Sequence, residues 1–239
     1  MLQDTQKLYG KKLAALDGDI GHIRDFFFDD QAWVIRYVVV DTGAWLTGRL
    51  VLLSPHAFGK LDQHEDALQV KLRKQQIEDS PSIAAHETVT RQFEDQYFRS
   101  YGWPVYWQGG EMWGMSGHPL GLVPQPRDPN LRRALEPRAD RHLQGTRAVT
   151  GYHLETVDGR IGHVTGFRVD ALSWAIRELV VETGVWHLGK QILISPDEVE
   201  RISLVDKNIF VKLTKADIQR TSEGDLARQK AAQGMSTRG

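Results

Sequence analysis

Asp17-Gly18-Asp19-Ile20-Gly21-His22-Ile23 returns 141 residues later as Asp158-Gly159-Arg160-Ile161-Gly162-His163-Val164. This repetition decides the fold, because self-similarity at a fixed offset marks a duplicated structural unit. The likeness continues outward without a gap for about 60 residues. Trp33-Val34-Ile35-Arg36 matches Trp174-Ala175-Ile176-Arg177, and Thr42-Gly43-Ala44-Trp45 matches Thr183-Gly184-Val185-Trp186. Ser54-Pro55 matches Ser195-Pro196, and Val70-Lys71-Leu72 matches Val211-Lys212-Leu213. The chain therefore reads as one repeat over residues 1–80, a connector over 81–145, a second repeat over 146–222 and a polar tail over 223–239.

Each repeat reads as a small β domain. Asp17-Gly18 and Asp158-Gly159 are hairpin signals, expected to form a type I′ turn with both central residues at positive φ. Ile20 to Phe28, Trp33 to Asp41, Leu50 to Leu53 and Ala67 to Leu72 are the strand candidates, the second being richest in β-branched residues. Val38-Val39-Val40 and Leu179-Val180-Val181 do not alternate with polar residues, so both faces of these strands are expected to be covered. Five or six short strands at this spacing suggest a small barrel. A unit of about 75 residues buries little core by itself, so the two repeats are expected to dock with pseudo-two-fold symmetry.

The connector has its own character. Thr90 to Tyr101 reads as a helix with Phe93, Tyr97 and Tyr101 on one face, stopped by Gly102 and Pro104. Eight of the 21 aromatic residues fall between 93 and 113, after which the chain turns rich in Gly and Pro. That density allows three uses: packing that staples the repeats together, docking of a protein partner or second copy, or an aromatic ligand pocket. The contact candidates are Trp103, Tyr106, Trp107 and Trp113, with Trp45 and Trp186 at the turn tips of the repeats.

Composition narrows the chemistry. Thirty Lys and Arg stand against 31 Asp and Glu, so the basic excess of a nucleic-acid binder is missing, and nucleic acid is not expected as a partner. The absence of cysteine removes disulfides, thiolate catalysis and Cys-based metal sites. No apolar run approaches the roughly 20 residues of a membrane span, and Met1 to Lys7 has no apolar core. No membrane insertion and a cytoplasmic location are the expectations. Phosphate-loop, dinucleotide-turn and nucleophile-elbow motifs are absent, so no catalytic residue and no cofactor is assigned. His22 and His163 occupy equivalent places and are the weak metal candidates, alongside the simpler reading that each imidazole bonds to a turn. Asp25, Asp29, Asp30 and Asp170 crowd the next turn; a weak divalent-cation site is one reading, but without an EF-hand spacing they read as solvated turn carboxylates. Arg36 and Arg177 sit in apolar strands and are expected to hold structural ion pairs.

These residues resemble the PRC-barrel family. The likeness rests on Asp-Gly-x-Ile-Gly-His at 17–22 and 158–163, on Phe-x-x-Asp at 26–29 and 167–170, and on the Trp-x-Ile-Arg strand. Val-Val-Asp/Glu-Thr-Gly-x-Trp and the closing Ser-Pro complete it. Arg91 to Glu94 and Tyr101 to Pro104 are similar to the connector of bacterial proteins with two such domains. The resemblance implies a mainly β fold of two barrels in tandem and a role in binding a partner assembly rather than covalent chemistry. The expected function is thus a non-catalytic protein-interaction or assembly module, binding a protein or itself. Two alternatives stand beside it: a soluble relative of the photosynthetic reaction-centre H subunit, acting in electron transfer or assembly, and a metal-binding or enzymatic protein using His22 and His163.

Overall fold

A computed structural model describes residues 1–59, 61–81, 89–107, 111–114, 116–119, 143–184 and 190–220. Trp186 and the tail from 221 onward lie outside the described residues. The fold is mainly β, in two sheets. In the first repeat the strands are β1 (Leu2–Asp4), β2 (Lys12–Ala15), β3 (Gly18–Asp29), β4 (Val34–Asp41), β5 (Leu50–Leu53) and β6 (Ala67–Gln69). Short helices α1 (Thr5–Leu8) and α2 (Lys74–Glu78) accompany them. The connector contributes α3 (Arg91–Tyr101). The end of the connector adds β7 (Leu143–Gly145), which the 141-residue offset aligns with β1, and the second repeat has α4 (Thr146–Val149), β8 (His153–Thr156), β9 (Gly159–Asp170), β10 (Ile176–Thr183), β11 (Gln191–Ile194), β12 (Val199–Ser203) and β13 (Asn208–Val211), with a last helix over 215–220.

One sheet runs β5-β4-β3-β2-β6 and the other β11-β10-β9-β8-β13-β12. Neither order returns to its first strand, so the two sheets are open rather than closed barrels. Two short strands stand off these paths, and they are exchanged. β1 of the first repeat pairs with β9 of the second, Leu2 opposite Asp170 and Asp4 opposite Arg168. β7, just before the second repeat, pairs with β3 of the first, Leu143 opposite Asp29 and Gly145 opposite Phe27. Shifting one register by 141 residues gives the other.

The compact units consequently cut across the repeats. One comprises Met1–Ala148 with Arg168–Arg177, the other Val149–Phe167 with Glu178–Gly239. Inside the first unit the turn of the second repeat is stitched in by a symmetric pair of bonds. Ile35 N donates to Trp174 O at 2.9 Å and Ile176 N donates to Trp33 O at 2.7 Å. These four residues exchange places under the same offset, as a local two-fold requires.

The Asp-Gly turns depart from the expected type. Gly18 and Gly159 take φ of 137° and 114°, but their aspartates are not among the positive-φ residues. The aspartate carboxylate is committed elsewhere: Lys74 N donates to Asp17 Oδ1 at 2.8 Å, and Lys215 N to Asp158 Oδ1 at 2.9 Å. Each turn thus caps the start of the following helix. Gly21 and Gly162 serve close approach. A Cβ there would lie 2.0 Å from Asp41 O and 2.1 Å from Glu182 O, respectively.

Candidate functional site

The densest assembly of polar and aromatic side chains in the first unit forms where α3 lies over β4 and β5. The sequence builds α3 with Thr90 as N-cap, its hydroxyl accepting from Phe93 N at 3.2 Å. Phe93, Tyr97 and Tyr101 then fall on one face. Tyr97 is fully buried. Its hydroxyl donates to Leu52 O and accepts from Ser54 N, both at 2.9 Å, which pins the helix to the end of β5. Its ring packs edge-on to Tyr37 with centroids 5.3 Å apart.

Glu94, on the same helix, is completely buried. A buried carboxylate must gather donors to offset lost hydration. Tyr37 Oη donates to Glu94 Oε1 at 3.0 Å and Tyr106 Oη to the same atom at 2.6 Å. Arg91 Nη1 lies 3.0 Å from Glu94 Oε2 and donates to Tyr106 Oη at 2.9 Å. Burial first, and the Glu94 charge second, push the Tyr37 and Tyr106 phenols well above their ordinary pKa. They are fixed as hydrogen-bond donors and cannot act as bases at neutral pH.

Arg36 extends this network. Its Nη2 meets Asp29 Oδ2 at 3.2 Å and its Nη1 donates to Met112 O at 2.6 Å. The guanidinium carbon stands 3.8 Å from the Tyr106 ring centre and 4.9 Å from that of Trp113. Burial lowers the Arg36 pKa, while Tyr106 and Asp29 push back. The expected Arg36 ion pair is therefore present, with Asp29 as partner. The expected pair at Arg177 is not: this side chain is exposed and makes no ion pair among the described residues. The physical reason is that no described residues form a counterpart to α3 over that position, so the guanidinium stays in water.

His56 completes the cluster. Its Nδ1 lies 2.9 Å from Ser54 Oγ, and its ring stacks on Trp103 at 5.5 Å and meets Trp113 edge-on at 5.3 Å. Burial, reinforced by the nearby Arg36 charge, lowers its pKa from 6.5 to about 4, so it is neutral at physiological pH.

The aromatic contact candidates thus have definite places. Tyr106 and Trp113 are buried, and Trp113 Nε1 donates to Ser173 O at 2.8 Å. Trp103 and Trp107 are half-buried, Trp107 lying 4.4 Å from the Arg91 guanidinium carbon. Trp45 is half-buried with Lys74 Nζ 4.6 Å above its ring. The first four converge on one cluster; Trp45 stands apart from it.

A second concavity, of about 580 Å³, opens along β3 of the first repeat. Phe27, Val39 and Leu50 contribute apolar surface, and His22, Arg24, Asp25, Asp41 and Arg147 contribute polar groups. Arg24 and Asp41 face each other at 3.4 Å. Asp25 sits beside a register shift in β3 and holds the strand exchange together. Its Oδ1 accepts from Thr146 Oγ1 at 2.8 Å and from Arg147 N at 3.0 Å. Burial raises its pKa, against those hydrogen bonds. The other turn aspartates are structural: Asp29 Oδ1 and Asp170 Oδ1 each accept from two backbone N–H groups of their own turns. Asp30 Oδ2 accepts from Gln144 Nε2 at 2.9 Å.

His22 is opposite Lys12 across β2 and β3, and His163 is opposite His153 across β8 and β9. Among the described residues no group of three or more His, Asp or Glu could hold a metal ion. Glu94, Tyr37 and His56 escaped the sequence reading, and Asp29, read there as a solvated turn carboxylate, is instead buried because it neutralises Arg36. The available signal was the contrast of Tyr37 with Glu178 at equivalent strand positions.

The chain matches no protein-family model, and no curated protein matches it.

Proposed function

We propose that the chain is a non-catalytic interaction module, a tandem protein of the PRC-barrel type that binds a protein partner or a second copy. The observation that carries this reading is the exchange of β1 and β7. Each long strand accepts a three-residue strand from outside its own repeat, which is strand addition, a general mode of peptide recognition. The polar groups that could have served chemistry support the same reading. Glu94, Tyr37, Tyr106 and Arg36 are committed to one another beneath α3.

The connector aromatics are largely spent on this packing, so the contact points are assigned elsewhere. Leu16 and Val157, equivalent residues just before the two Asp-Gly turns, are 69% and 71% exposed. Trp45 adds a half-buried aromatic to the first repeat. Cross-linking and mass spectrometry on the native host extract, comparing the full chain with the Leu16→Ser/Val157→Ser variant, tests the proposal. The expected result is a specific partner, or a self-associated species in sedimentation, that the variant loses. A strict monomer whose cross-linked set is the same in both proteins removes the proposal.

A further inference from the structure

The offset that makes His22 and His163 equivalent also makes Lys12 and His153 equivalent. Only the second repeat therefore brings two imidazoles together. His153 and His163 are direct partners in the antiparallel pairing of β8 with β9, so their side chains share one face of the sheet. Directly opposed residues place their Cβ atoms about 4.5–5.5 Å apart. Two imidazoles on such a base can converge on one ion with nitrogen–metal bonds of about 2.0–2.1 Å. His153 is exposed and His163 half-buried, so the pair is open to solvent. Neither imidazole makes a hydrogen bond or ion pair among the described residues. Asn208 is the next residue along the same row, opposite His153 on β13.

We infer that His153 and His163 form a two-imidazole chelate for a borderline divalent cation, with water completing its shell. Imidazole donors suit Cu²⁺, Ni²⁺ and Zn²⁺, and affinity for a given site peaks at Cu²⁺. Two ligands on one rigid hairpin bind cooperatively, because the second nitrogen is already in place when the first engages. The metal partner of His163 is thus its strand neighbour, not the repeat-related His22.

The first repeat supplies an internal control, since Lys12 stands where the second has His153. The full chain is titrated with Cu²⁺ and, separately, Zn²⁺ by calorimetry, and the Cu²⁺ form is examined by electron paramagnetic resonance. One site with two coordinated nitrogens is expected. His153→Lys, which copies the first repeat, and His153→Gln should each weaken the site at least tenfold and reduce the nitrogen coupling. His22→Gln should leave both readouts unchanged. Affinity and spectrum unaltered in both His153 variants, with far-ultraviolet circular dichroism showing them folded, would overturn the assignment. So would loss of the site on changing His22 alone.

Discussion

β4 and β10 descend from the same repeat unit, yet they meet different surroundings. Every residue of β4 from Val34 to Val40 is buried, whereas in β10 Arg177 is exposed and Glu178 half-buried. The equivalent residues tell the same story: Tyr37 against Glu178, buried Arg36 against exposed Arg177, buried Leu52 against half-buried Leu193. The difference lies in the connector, which occurs once in the chain and lays α3 over the first copy. Burial of a strand's second face is thus decided by what the rest of the chain places there, not by the strand itself.

The largest effect should come from removing the group that ties that cover down. Glu94→Ala leaves two phenols and a guanidinium without their buried acceptor, and should cost about 3–5 kcal/mol. Glu178→Ala should stay within about 1 kcal/mol. Urea denaturation of the two variants measures the gap, and equal losses would break the comparison.

His56 gives the comparison a pH signature, since its counterpart is the exposed Asp197. Its folded pKa is depressed to about 4, so its contribution is complete above about pH 6.5 and is lost as pH falls toward 4. Over that window the native protein should lose about 3 kcal/mol more than His56→Gln, with one pKa unit worth about 1.4 kcal/mol. Parallel stability–pH curves for the two proteins would refute this.

The smallest expected effect concerns how each exchanged strand is capped. In the first repeat Asp4 caps α1 itself, accepting from Gln6 N at 2.9 Å. In the second, Gly145 has no side chain, and Asp25 reaches across from β3 to accept from the equivalent Arg147 N. A Cβ on Gly145 would sit 2.9 Å from Asp25 Oδ2. Asp25→Gly should cost about 1–2 kcal/mol, in the range of a lost cap. Gly145→Asp should also destabilise, and the double variant should recover part of the loss because the arrangement then copies the first repeat. Strict additivity in this double-mutant cycle would show that the two positions are not coupled.

The strands were legible because β-branched runs and the 141-residue offset reinforce each other: Leu50–Leu53 falls where it was expected, and β4 begins one residue late. α3 was legible from the spacing of its aromatics and from Gly102. The exchange was not, since Leu2–Asp4 carries no strand pattern and its partner lies more than 160 residues away. The Asp-Gly turns misled because their aspartates answer to a helix start 57 residues on, a long-range demand that local turn chemistry does not register. In the site, Arg36 was visible as a cation in an apolar strand. Glu94 was not, because one acid on a helix looks the same whether it faces water or a phenol.

The reciprocal placement of β1 and β7 also bears on how the chain is made. Leu2–Asp4 leaves the ribosome more than 160 residues before its seat on Arg168–Asp170 is synthesised. The first sheet in turn waits for Leu143–Gly145. Each sheet is therefore completed by a contact distant in sequence, the kind that slows folding.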